Sequence, residues 1–227
     1  MLAARSSDWN DDSNMASPTA TLGVIADTHR KHRQITIPPC DILIHCGDFC
    51  SFQREDVPTL EDVDLWFAEA PARHILCVGG NHDFPLQSRE FRFSHAQLLE
   101  DRLVEIEGLT FYGAPWCPDL SGFAYYASTP ELIEKWRQIP SGIDVLITHT
   151  PAFGVLDLPT GGTMHLGCPY LRQELERIRP RMHVFGHVHA SHGLHEGAGT
   201  RSINAAIVGG REFEIRHAPT ITTLERR

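Results

Sequence analysis

Five short apolar runs in this chain each stop on a residue that can bind a metal ion, and that coincidence limits the fold more than any other feature. Leu22–Ala26 ends at Asp27-Thr28-His29, and Asp41–Cys46 ends at Gly47-Asp48. His74–Val78 runs into Gly79-Gly80-Asn81-His82-Asp83. Asp144–Thr148 stops at His149, and Met182–Phe185 stops at Gly186-His187-Val188-His189. Short runs rich in Val, Ile and Leu are the pattern of strands buried on both faces. In α/β sheets the carboxyl ends of such strands share one edge, and ligands bind there. Loops at that edge gather side chains from distant parts of the chain. The runs therefore predict an α/β chain with one polar site at its strand ends.

Helical and turn patterns fill the intervals. Val63, Trp66, Phe67 and Ala70 form an apolar stripe that predicts a helix over Leu60–Ala70, with Thr59 and Asp62 at capping-box-like spacing. Further helices are expected near Pro130, where Ser128 and Glu131 make a cap pair, and from Pro169, where Leu171, Leu175 and Ile178 share a face. Leu103–Glu107 and Thr110–Tyr112 read as a hairpin, and Ile203–Val208 and Phe213–Ile215 as closing strands. Ala114–Tyr126, rich in Pro, Gly and aromatic residues, reads as an ordered loop. Its Trp116, Phe123, Tyr125 and Tyr126 either stack a base or pack their own loop, and packing is the plainer reading.

Composition bounds the class. A length of 227 residues suits one α/β domain. Residues 1–20 lack an apolar run and read as a mobile polar tail, leaving 21–227 as a single domain. Asp8, Asp11 and Asp12 argue against a mitochondrial presequence, and no run approaches the roughly 18 apolar residues of a membrane helix. A cytoplasmic protein without a membrane partner is the expectation. The net charge of −9 gives no field to hold duplex nucleic acid. The six cysteines show no C-x-x-C pair and read as reduced thiols, an oxidised Cys46–Cys50 pair being the alternative.

The blocks D-x-H (Asp27, His29), G-D (Asp48), G-N-H-D (Gly80 to Asp83), a strand-end His149 and G-H-x-H (His187, His189) occur in the order that resembles the calcineurin-like metallophosphoesterase superfamily. Glu131–Pro151 and His165–His189 resemble its branch of metallophosphoesterase domain-containing proteins. That resemblance implies a four-layer α/β/β/α sandwich, with two packed mixed β-sheets flanked by helices. It also implies two divalent metal ions, one on Asp27, His29 and His189 and the other on Asn81, His149 and His187, with Asp48 shared. Mixed oxygen and nitrogen ligands suit Mn²⁺ foremost, with Fe or Zn²⁺ as alternatives, and suit Ca²⁺ poorly. By the same resemblance His82 contacts phosphate and protonates the leaving oxygen, Asp83 orients its ring, and Asn81 and His165 meet the substrate.

Two metals answer a chemical need, because phosphate ester hydrolysis requires neutralised phosphoryl oxygens and a nucleophile stronger than water. The expected partner is a small phosphoester of nucleotide type, a diester first and a monoester second. The alternatives are a nuclease on single-stranded nucleic acid and a non-catalytic metal-binding scaffold. A scaffold should have lost His82 or several ligands, and this chain keeps them all. Among the fourteen histidines, His45 and His74 read as core residues. His32, His95, His183, His192, His195 and His217 read as surface residues or as supports behind the ligands. Strand alternation would send His187 and His189 to opposite faces. Both reach one site only if the backbone turns there, or if they serve different metals.

Overall fold

Period-two burial sorts the strands into layers in the computed structural model, which describes residues 18–54 and 56–227. The first part of the chain forms β1 (Thr19–Ile25), β2 (Cys40–His45), α1 (Val57–Glu69), β3 (Ala72–Cys77), α2 (Phe84–Gln87) and β4 (Gln97–Leu98). Next come β5 (Arg102–Ile106), β6 (Leu109–Ala114), α3 (Thr129–Arg137), β7 (Val145–Thr148), α4 (Pro169–Ile178) and β8 (Met182–Phe185). The chain then forms β9 (Gly193–Gly197), β10 (Thr200–Asn204), β11 (Val208–Gly209), β12 (Glu214–Ile215) and β13 (Thr220–Glu225).

One sheet runs β13-β1-β2-β3-β4 and the other β5-β6-β7-β8-β10-β9, with β11-β12 a separate hairpin. The inner strands are parallel, while β13, β5 and β9 pair antiparallel, so both sheets are mixed. Leu22, Val24, Ile42 and Ile44 of the first sheet pack against Phe111, Val145, Ile147 and Val184 of the second. The alternate residues Leu43, Ile75 and Cys77 face Leu60, Val63 and Phe67 of α1. On the far side, Tyr112, Leu146 and Phe185 face Trp136 of α3 and Leu171 and Leu175 of α4. Burying each such side chain contributes about 1.5–3 kcal/mol. The result is the expected α/β/β/α sandwich.

Several local expectations need correction. Helix α1 begins at Val57 with a proline in its first turn, a favoured place for one. No Thr59–Asp62 box forms there. Thr59 donates its hydroxyl to Asp56 at 2.6 Å, and Asp62 is drawn outward by His32 and Arg33. At α3 the cap pair forms as expected, Ser128 donating its N–H and hydroxyl to Glu131. Strand β1 already begins at Thr19, inside the stretch expected to be tail, because β13 pairs with it over six positions. The rest of that tail expectation, residues 1–17, lies outside the described residues. His32 and His183 are buried, bonded to Asp62 and Thr148, whereas His74 stands at the surface beside Glu107. All six cysteines are free, so Cys46 and Cys50 are not paired. Among the described residues no helix is long and apolar enough to cross a membrane.

Candidate metal centre

Parallel pairing brings the ends of β1, β2 and β3 to one edge, and those of β7 and β8 meet them from the second sheet. The seam is hydrogen-bonded, since Ala26 donates to the Ala205 carbonyl and Ile207 donates to the Ala26 carbonyl. Past the strands the backbone turns sharply. Asp27, His29, Asp48 and His187 all take positive φ, at 55°, 39°, 59° and 70°. Such conformations cost non-glycine residues about 1–3 kcal/mol and collect at functional sites.

Glycines make room for the carboxylates. A Cβ on Gly186 would lie 2.2 Å from Asp27 Oδ2, and one on Gly80 would lie 2.3 Å from Asp48 Oδ1. The Gly186→Ala protein should therefore lose about 1–3 kcal/mol of stability through overpacking, and the displaced Asp27 should weaken metal retention. Thermal melts with metal analysis check this, and native metal content at an unchanged melting point would refute it.

Six of the seven expected ligands fall into two groups. His29 Nε2 lies 3.3 Å from His189 Nε2, which is itself 3.3 Å from Asp27 Oδ1. Asn81 Oδ1 lies 3.0 Å from His149 Nε2 and 2.9 Å from His187 Nδ1. Asp48 stands between the groups, its Oδ2 3.4 Å from His149 Nε2 and 3.7 Å from His29 Nε2. The turn at His187 settles the alternation problem, since His187 and His189 serve different groups.

Support from behind fixes the lone pairs. His29 donates Nδ1–H to the Cys50 carbonyl at 2.7 Å, and His149 donates its Nδ1–H to the Cys46 carbonyl at 2.8 Å. Held through Nδ1, each ring turns its Nε2 inward, the arrangement that orients metal-binding histidines. A bare nitrogen 3.0 Å from the Asn81 oxygen is repulsive unless a cation or a proton lies between them. The charges agree. Burial opposes ionisation of Asp48, yet His149, His29 and His82 hold its carboxyl well below the usual range. Burial would likewise lower His149, but Asp48 and Asp27 raise it to about 9. Burial and the neighbouring His149 push His187 down to about 4. This donor set fits a divalent transition metal at each group.

His82 and Asp83 part company. The His82 ring sits 5.1 Å from the His29 ring, with Nε2 3.9 Å from Asp48 Oδ2 and a buried Nδ1 that has no partner among the described residues. Asp83 was expected behind that ring. Its oxygens instead accept the N–H groups of Asp48, Phe49, Cys50 and Gly80 at 2.8–3.0 Å. It thus ties the Asp48 loop to the Asn81 loop, while burial and the nearby Asp48 carboxylate push it up to about 7. His165 bonds to neither group. It donates Nδ1–H to the buried Asp157 at 2.6 Å and packs on Phe153. Of the four loop aromatics, Tyr125 is buried and Trp116 donates its Nε1–H to Asp101, so those two pack the fold. Phe123 faces His82. Two aromatic residues that sequence reasoning missed, Phe52 and Phe213, also border the site, touching His82 and His29. Phe52 lies in a loop where no periodic pattern marks it, and Phe213, expected to open a strand, sits in the turn just before Glu214–Ile215.

An α/β/β/α sandwich that gathers carboxylate and imidazole side chains at its strand ends is the pattern of the metallophosphoesterase class. Residues 7–191 match the calcineurin-like phosphoesterase family, and the chain belongs to it. It is 35% identical over 210 residues to the UPF0046 protein K07C11.7 of Caenorhabditis elegans, an alignment covering 84% of this chain and 70% of that one. It is 30% identical over 213 residues to human metallophosphoesterase domain-containing protein 1, covering 81% of this chain and 64% of that protein. A solved structure 14% identical superposes on 92% of this chain and 100% of its own with a TM-score of 0.63, which shows the fold alone.

Proposed function

We propose that the chain is a two-metal phosphoesterase that hydrolyses phosphodiesters, and secondarily monoesters, of small nucleotide-like compounds. The observation that carries this is Asp48, whose carboxylate faces both ligand groups. Asp27, His29 and His189 with Asp48 would hold one ion, and Asn81, His149 and His187 with Asp48 the other. Two bound divalent ions neutralise phosphoryl oxygens and lower the pKa of water. The chain's own residues do the rest. The backbone carbonyls of Cys50 and Cys46 fix the His29 and His149 tautomers. Asp48 Oδ1 accepts the His82 N–H at 2.9 Å, which sets the His82 ring beside the centre. From there His82 donates a proton from Nε2 to the departing ester oxygen.

The direct test is a panel of phosphodiesters and monoesters run on purified protein, with metal analysis of the same sample. Turnover should disappear on prolonged chelation, and Mn²⁺ should restore it at least as well as Mg²⁺, because imidazole-rich sites favour transition metals. Full activity in excess chelator, with the protein shown free of metal, would overturn the proposal.

A further inference from the structure

Three phenylalanines from three separate loops crowd the candidate metal centre. The Phe52 ring, after β2, meets His82 edge-on at 4.8 Å, and Phe123, after β6, meets the same ring at 5.6 Å. Phe213, in the turn between β11 and β12, stacks on His29 at 4.2 Å and lies 5.4 Å from His189. Phe52 is 68% exposed and Phe123 37%. Fold packing does not account for them. Leaving an apolar ring in water forfeits its transfer free energy, and Phe213 is held at a φ of 51°, which bulky residues rarely adopt.

Resting on the phosphoesterase reading, we propose that Phe52, Phe123 and Phe213 form a wall that receives a planar apolar group carried by the phosphoester. The substrate class is then aryl and nucleoside phosphoesters rather than alkyl ones. Phe52 and Phe213 are 5.5 Å apart. A ring sliding between them would need about 7–8 Å, twice the van der Waals contact distance, so the pair is a platform and not a slot. Phenyl rings offer a face and no hydrogen-bonding group, so the wall selects for flatness and does not read a base edge. Stacking of this kind tolerates any base.

The test is calorimetric binding of phenylphosphonate and methylphosphonate to Mn²⁺-loaded protein, with turnover of methyl 4-nitrophenyl phosphate measured on the same samples. The wild-type protein should bind the phenyl compound about 10-fold or more tightly than the methyl one, the size of a base–aromatic stack. Phe52→Ala should bring that ratio near one, and Phe52→Trp should restore it. Equal binding in the wild-type protein, or a preference untouched by Phe52→Ala, overturns the wall. Turnover without a phenyl preference rejects the wall and leaves the phosphoesterase reading standing. A Phe52-dependent preference without turnover of any ester does the reverse.

Discussion

Replacing Asp48 by alanine is expected to lower kcat/KM by about 10³-fold or more and to reduce the metal content below that of the wild-type protein. Among the described residues Asp48 is the one carboxylate within 4 Å of ring nitrogens from both groups, with His149 Nε2 at 3.4 Å and His29 Nε2 at 3.7 Å. Its loss removes the group that would fix the spacing of two ions. Metal polarisation is worth several kcal/mol of transition-state stabilisation, and each 1.36 kcal/mol is tenfold in rate. Asp48→Asn separates charge from shape, since an amide oxygen can still accept the His82 N–H that Asp48 Oδ1 takes at 2.9 Å. The asparagine protein should fold normally and still turn over far more slowly than wild type. Wild-type-like rates in metal-replete Asp48→Ala protein would sink the two-metal assignment.

The α/β strands and the polar residues at their ends were legible because both obey local rules, whereas the four-layer sandwich was implied by the family resemblance. Val145–Thr148 and Met182–Phe185 are short apolar runs whose neighbours on either side are polar or glycine, so their strands could be placed almost to the residue. What lay beyond reach was pairing between distant segments. Thr220–Glu225 carries three threonines and is half exposed, so nothing in TITTLE announces a sheet edge. It becomes one only by pairing with β1, some two hundred residues earlier.

The same limit explains Asp83. Adjacency in G-N-H-D suggests an acid behind His82, but the N–H groups of Asp48, Phe49 and Cys50 compete for that acid and win. Converging backbone N–H groups pull that carboxyl down against the burial and the Asp48 charge that push it up, and a neutral ring nitrogen is a weaker competitor for its oxygens. Side-chain direction at the ligands was equally hidden. Strand alternation applies up to Phe185 and fails at His187, whose φ of 70° redirects the chain. The Phe52 ring stands on a loop, where burial leaves no periodic trace.

Replacing His82 by alanine separates binding from chemistry and completes the assignment. His82 contributes no atom to either ligand group, so the alanine protein should retain its metal content. Its Nε2 sits 3.9 Å from Asp48 Oδ2, the carboxylate oxygen that faces both groups, and suits delivery of a proton to a leaving oxygen. The cost should therefore depend on the leaving group. A nitrophenolate departs without a proton, whereas a ribose alkoxide needs one. General acid catalysis typically contributes 10²–10⁴-fold, so a nucleotide diester should slow by about that factor and an aryl phosphodiester by much less. The measurements are metal content and kcat/KM on both substrates for both proteins. Loss of a metal would make His82 a ligand and redraw the groups. Equal slowing on both substrates with metals intact would mean that His82 only positions the phosphate. The acid would then be sought at His165, whose Nδ1–H donates to Asp157 at 2.6 Å.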